Sequence, residues 1–84
     1  MFIQIQNTIL NIQHIGLIRT YDFVDEEEKL WADSFELILF IDGEKHVFSY
    51  EEKEDRDNVY QQLLKIIKNN GIIEEIKPIK EKGK

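Results

Sequence analysis

The stretch Phe35-Glu36-Leu37-Ile38-Leu39-Phe40-Ile41-Asp42-Gly43-Glu44-Lys45-His46-Val47-Phe48-Ser49-Tyr50 decides the fold. Its centre, Asp42-Gly43, is a pair that tolerates positive φ at both positions, as a two-residue type I′ hairpin turn demands. That turn sets Ile41 opposite Glu44, Leu39 opposite His46, Leu37 opposite Phe48 and Phe35 opposite Tyr50, all on one face. Phe40 with Lys45, Ile38 with Val47 and Glu36 with Ser49 then share the other face. A three-residue loop would instead set Val47 and Ser49 against the Phe35–Ile41 stripe. The two-residue register gathers more apolar side chains on one side, and it is the register expected. It leaves a second face that is not polar either, because Ile38, Phe40 and Val47 meet there.

Upstream, Phe2-Ile3-Gln4-Ile5-Gln6 alternates in the manner of a strand, with Ile3 and Ile5 on one side. A turn is expected at Asn7-Thr8, with extended chain resuming from Ile9 to Asn11. Ile15, Leu17, Tyr21 and Phe23 mark a further strand on odd positions, interrupted by Arg19. Leu10 and Ile12 lie on even positions, so the phase flips between Asn11 and Gly16. Period two otherwise fixes the face, so the flip needs a bulge or turn, and Asn11 and Gly16 are the residues that permit one.

Downstream, Glu51-Glu52-Lys53-Glu54-Asp55 places negative charge where a helix dipole favours it, with Asp55 as the expected N-cap. Val59, Leu63, Ile66 and Ile67 recur at helical spacing, flanked by Tyr60 and Leu64. Asn69-Asn70-Gly71 supplies the C-terminal stop. Ile72-Ile73-Glu74-Glu75-Ile76 reads as a short edge strand, Pro78 ends any regular ladder, and Lys80 to Lys84 reads as a tail. The expected fold class is therefore α+β: a curved, four- to five-stranded antiparallel sheet packed by one C-terminal helix. Residues 1–76 form the single domain in this reading, and 77–84 a flexible lysine-rich tail.

The passage from strand through acidic turn to amphipathic helix, Phe48 to Tyr60, resembles the end of pleckstrin-homology-like domains. There a last strand runs into a helix that closes a curved sheet. The resemblance covers residues 35–70. It carries over no lipid-binding residues, since the basic strand–loop signature for phosphoinositides has no match here. The whole chain also resembles small single-domain bacterial and phage proteins, which implies no activity.

Composition narrows the function classes. The chain has 84 residues, seventeen acidic against eleven basic, a net charge of −6 and no cysteine. One small core fits that length, with a thin stability margin unless a face is shared with another chain. Neither a disulfide framework nor a Cys/His zinc site can be built. No apolar run approaches the roughly 20 residues of a membrane span; without a basic stretch followed by an apolar one at the start, no secretory signal is expected, and a cytoplasmic location is expected. Direct nucleic-acid binding is not expected, because such affinity rests on Lys and Arg neutralising phosphates. Fourteen isoleucines against one alanine, and nine lysines against two arginines, suit an A+T-rich genome such as that of a low-GC bacterium or its phage. The acids cluster: seven lie in residues 21–36 and five in residues 51–57.

Candidate chemistry is sparse. His46 belongs on the core face near the hairpin turn and His14 in the bulge region, with no spacing that joins them as metal ligands. Asp25-Glu26-Glu27-Glu28 lacks the alternating ligands and central glycine of a calcium loop. Asp25 with Glu28 instead has the spacing of a capped helical turn through Trp31. Ser34 and Ser49 have no nucleophile-elbow context, and the four glycines build no phosphate loop. No enzyme activity and no cofactor are expected. Leu30-Trp31, an apolar pair inside a charged segment, either folds back onto the domain or stands out as a binding anchor. Ile38, Phe40 and Val47 pose the same question, since one helix cannot cover both faces of a sheet. These five are the candidate partner-binding residues of a non-catalytic protein-binding or self-assembly module, expected as a homodimer or with a protein partner. The alternatives are an acidic inhibitor, phage-encoded and mimicking nucleic acid, and a small-ligand or nucleotide sensor using Tyr21, Tyr50 or Tyr60 between sheet and helix.

Overall fold

The chain is described by a computed structural model over residues 1–27 and 30–71. Five strands and one α-helix follow one another as β1 (Phe2–Ile5), β2 (Thr8–Asn11), β3 (Ile15–Phe23), β4 (Ser34–Ile41), β5 (Glu44–Tyr50) and α1 (Lys53–Asn69). A single 3₁₀ turn, Ile12–His14, joins β2 to β3. All strand pairs are antiparallel, as expected, but the strands divide into two sheets, β1-β2 and β3-β4-β5, where one continuous sheet was expected. The physical reason lies in the 3₁₀ turn. Asn11 accepts a hydrogen bond from the Gln13 amide at 3.1 Å, and the chain leaves the β1-β2 ladder before it enters the other.

The β4-β5 hairpin has the register expected from Asp42-Gly43, from Phe35 opposite Tyr50 to Ile41 opposite Glu44. Asp42 and Gly43 both take positive φ, +52° and +84°. The phase flip also falls within the expected segment: the β3-β4 register shifts between Ile15 and Leu17, around Gly16. Beyond the bulge Ile18 pairs with Leu39, Arg19 with Ile38 and Tyr21 with Glu36. The first hairpin turns one residue earlier than expected. Ile5 pairs with Thr8, so Gln6 and Asn7 form the turn and Gln6 takes φ +51°. Its side-chain amide donates to the Ser49 carbonyl at 3.1 Å, tying this hairpin to β5.

The core lies on one side of the three-stranded sheet. Leu37, Leu39 and Phe48 project from it to meet Leu63 and Ile67 of α1 and Ile5, Leu10 and Ile12 of the N-terminal hairpin and 3₁₀ turn. The helix begins earlier than expected. Glu52, not Asp55, is the N-cap, with no side-chain capping bond, and Asp55 lies inside the first turn. Gly71, at φ +68°, ends the helix by donating its amide to the Lys68 carbonyl at 3.0 Å, as its position suggested. The expected strand at 72–76 and tail at 77–84 lie outside the described residues.

Candidate functional site

Because α1 and the β1-β2 hairpin both pack against the Leu37-Leu39-Phe48 face, neither is left to cover the other face of the sheet. Residues directly opposite in an antiparallel pair point the same way, so the register assigns that second face row by row. Leu17, Phe40 and Lys45 form one row; Arg19, Ile38 and Val47 the next; Tyr21, Glu36 and Ser49 the third; Phe23 and Ser34 close it. Of these, Leu17, Tyr21, Phe23 and Val47 are exposed large hydrophobics, Val47 at 43%. Phe40 is half-buried. Ile38 is only 6% exposed although it belongs to no part of the main core. It sits on the central strand with Arg19 on one side and Val47 on the other, and side chains on flanking strands shield such a position. The three candidates on this face are therefore together, and β3 adds Leu17, Tyr21 and Phe23 to them.

Sequence reasoning did not attach those β3 residues to the surface, because it had no pairing for β3. Their odd-position alternation was legible. Which face they joined depended on the bulge at Gly16.

Leu30 and Trp31 lie elsewhere, in the loop between β3 and β4, and are 70% and 68% exposed. The Asp25 carboxylate accepts from the Leu30 amide at 2.9 Å and from the Trp31 amide at 3.1 Å. Asp25 thus does act on backbone amides, but five and six residues on rather than within a helical turn. None of the described residues of 24–33 is helical. The result is an apolar pair held outward at the end of the sheet where β3 and β4 part, beside Asp25, Glu26 and Glu27.

Arg56 was not singled out from the sequence, yet it fixes the helix to the sheet. It is 2% exposed. Its guanidinium donates to Asp22 at 2.7 Å, to Asp57 at 2.7 Å, and to the carbonyls of Glu36 and Tyr21 at 3.0 and 3.3 Å. It also lies 6.0 Å from the centre of the Phe35 ring, and Lys53 adds a 3.4 Å ion pair to Asp22. The hydrogen bond from Arg56 holds the Asp22 carboxyl below its ordinary range against the opposing effect of desolvation, with the charges of Arg56 and Lys53 adding to it. Burial pulls the Arg56 pKa down, but hydrogen bonds to Asp22 and Asp57 outweigh it and leave it raised. The planar fork of arginine suits two carboxylates and two carbonyls at once, which lysine's compact ammonium does not. The one available signal was an arginine in the first turn of a helix in a lysine-rich chain.

The histidines do not converge. His14 pairs with Asp42 at 3.0 Å, whereas His46 approaches Glu44 at 3.7 Å. Among the described residues no group of three or more potential metal ligands is assembled. The three tyrosines are dispersed as well: Tyr21 is on the open face, Tyr50 packs against the main core, and Tyr60 lines a groove between β3 and α1 with Leu17, Ile18 and Leu64. The space between β1 and α1, lined by Ile3, Ile5, Val59 and Ile66 among others, is about 70 Å³. The groove between β3 and α1 that Tyr60 lines is larger, about 240 Å³.

No protein-family model, curated protein or solved structure matches this chain. The functional reading therefore rests on the site itself. Among the described residues, no helix is long and apolar enough to cross a membrane.

Proposed function

We propose that the protein is a non-catalytic protein-binding or self-assembly module whose working surface is the open face of the β3-β4-β5 sheet. The observation that carries this reading is the placement of both covering elements, α1 and the β1-β2 hairpin, on the same opposite face. Leu17, Tyr21, Phe23, Phe40 and Val47 share that face, exposed or half-buried, with Arg19 and Glu36 set among them. Contiguous exposed apolar patches on small domains mark association surfaces, and the aromatic share of this one suits a contact centre.

The test is a double substitution, Leu17→Glu with Val47→Glu, followed by circular dichroism through thermal unfolding. A surface held for a partner accepts both charges with the fold and melting temperature nearly intact. Loss of the folded state would instead identify this face as core and remove the reading.

A second reading draws on the loop. Leu30 and Trp31, held outward by Asp25 and flanked by acids, form the kind of anchor an acidic inhibitor would insert into a basic, nucleic-acid-binding partner. Competition with nucleic acid that persists in Trp31→Ala, or that is insensitive to salt, would count against it.

A further inference from the structure

Building on the open-face reading, we infer that the partner is a second copy of this chain, stacked face to face with its strands running antiparallel to those of the first. The charges on the face select both occupant and orientation. Along the strands the face is polarised: Lys45 and Arg19 lie in the two rows toward the hairpin end, and Glu36 in the row toward the loop end. Asp42, at the hairpin tip, is turned to His14, and Glu44 shares the opposite face with Ile41. The loop end carries further acids, Asp25, Glu26, Glu27 and Asp33.

Two-fold symmetry allows two simple ways of stacking such a face on itself. With the axis along β4, Glu36 lies over its own copy and Lys45 of each copy comes within one row of the other copy's Arg19, so like charges meet. With the axis across the strands, the row of Arg19, Ile38 and Val47 lies over the partner copy's row of Tyr21, Glu36 and Ser49. Arg19 is then one strand spacing, about 4.8 Å, to the side of the partner copy's Glu36, across sheets about 10 Å apart. The two side chains span that gap together. The basic end of each copy also meets the acidic loop end of the other.

Arg19 and Glu36 are well placed for the task. Arg19 is exposed on an edge strand, at the rim, where an ion pair forms without full desolvation. Glu36 is half-buried, and its side chain accepts from Ser49 at 3.4 Å. In this stack Leu17 lies over the partner copy's Phe23, while Phe40 and Val47 lie over the partner copy's Ser34 and Ser49. Three strands at about 4.8 Å spacing and seven residues at about 3.3 Å give a face roughly 14 by 23 Å. That is roughly 320 Å² per copy, below the roughly 600 Å² per copy at which stable complexes begin, so the dimer is a weak, concentration-dependent one.

The experiment is sedimentation equilibrium from 10 to 500 μM (an order-of-magnitude range for weak association) on the wild type, Arg19→Glu, Glu36→Lys and the combined variant. Circular dichroism of each confirms folding. The wild type is expected to dimerise, each single change to weaken dimerisation about tenfold, and the combined charge reversal to restore most of the loss. Glu36→Gln adds a test of orientation: it weakens the antiparallel stack, whereas relief of Glu36–Glu36 repulsion would tighten the parallel one and overturn the inference. A wild type that stays monomeric, or a dimer indifferent to all four variants, overturns it as well. If Leu17→Glu with Val47→Glu is folded while the wild type is monomeric, the open face stands with a different partner. If that variant unfolds, both readings fall.

Discussion

The two faces of the β3-β4-β5 sheet are made by the same three strands and are both rich in apolar residues, yet they have opposite fates. One carries Leu37, Leu39 and Phe48, all buried beneath the helix and the N-terminal hairpin. The other carries Leu17, Phe40 and Val47, with nothing from the chain's described residues packed over it in the core. The difference is one of supply: the described residues hold one α-helix and one further hairpin, and both pack on the same side. Apolar character in a strand therefore reports that a face wants cover and is silent on what covers it.

The comparison breaks most visibly if equivalent truncations cost the same on both faces. Leu39→Ala should cost about 3 kcal/mol in urea unfolding, since its side chain is fully buried and leaves a cavity. Leu17→Ala on the open face should cost no more than about 1 kcal/mol. Equal losses would mean the second face is covered in solution by something that unfolds with the domain.

The next largest effect concerns how the covered face is closed. Arg56→Ala leaves two backbone carbonyls and two carboxylates without their shared donor. A loss of about 2 to 3 kcal/mol is expected, less than for a wholly buried pair because the carboxylates remain partly solvated. Arg56→Lys should recover only part of it, for lysine keeps the charge and loses the fork. Denaturant melts of the two variants check this, with Leu17→Ala as an open-face control.

The same latch sets an acid dependence. The Asp22 carboxyl titrates lower folded than unfolded, so its contribution is fully present above the ordinary value of 3.8. It is lost as pH falls through the lower folded-state value. Melting temperatures of the wild type should drop more steeply below that ordinary value than those of Asp22→Asn, whose curve should be lower at neutral pH and flatter in acid. Parallel curves would mean that the latch does not respond to protonation of Asp22.

The smallest effects lie at the two ends of the sheet. Gly43→Ala meets no neighbour but must adopt φ +84°, so a loss of about 1 kcal/mol is expected in thermal melts. At the opposite end, Asp25→Ala frees the Leu30 and Trp31 amides. It should raise their hydrogen exchange while leaving the melting temperature within about a degree, since the loop adds little to the core.

Much of the architecture was legible because it depends on neighbours in sequence. The register from Phe35 to Tyr50 followed from Asp42-Gly43, and the helix face from the spacing of Val59, Leu63 and Ile67. The division into two sheets was not legible, since it turns on Asn11 capping the Gln13 amide, a local bond that competes with continued strand pairing. Nor was the role of Arg56, whose partners lie up to 35 residues away. For the candidate surface, Ile38, Phe40 and Val47 could be grouped in advance because one hairpin carries them. Leu17, Tyr21 and Phe23 joined them only through the β3-β4 register.

The amino-acid sequence by itself determined that this is an α+β chain, that its second hairpin has a single register, and that this hairpin is apolar on both sides. Turn chemistry and periodicity act over a few residues, so they are written where they operate. Only the tertiary structure decided which side is core. That choice belongs to the helix and the first hairpin, whose packing together on Leu37, Leu39 and Phe48 buries three apolar layers in one interior instead of two thin ones. That packing leaves the other apolar face without cover from any element among the described residues.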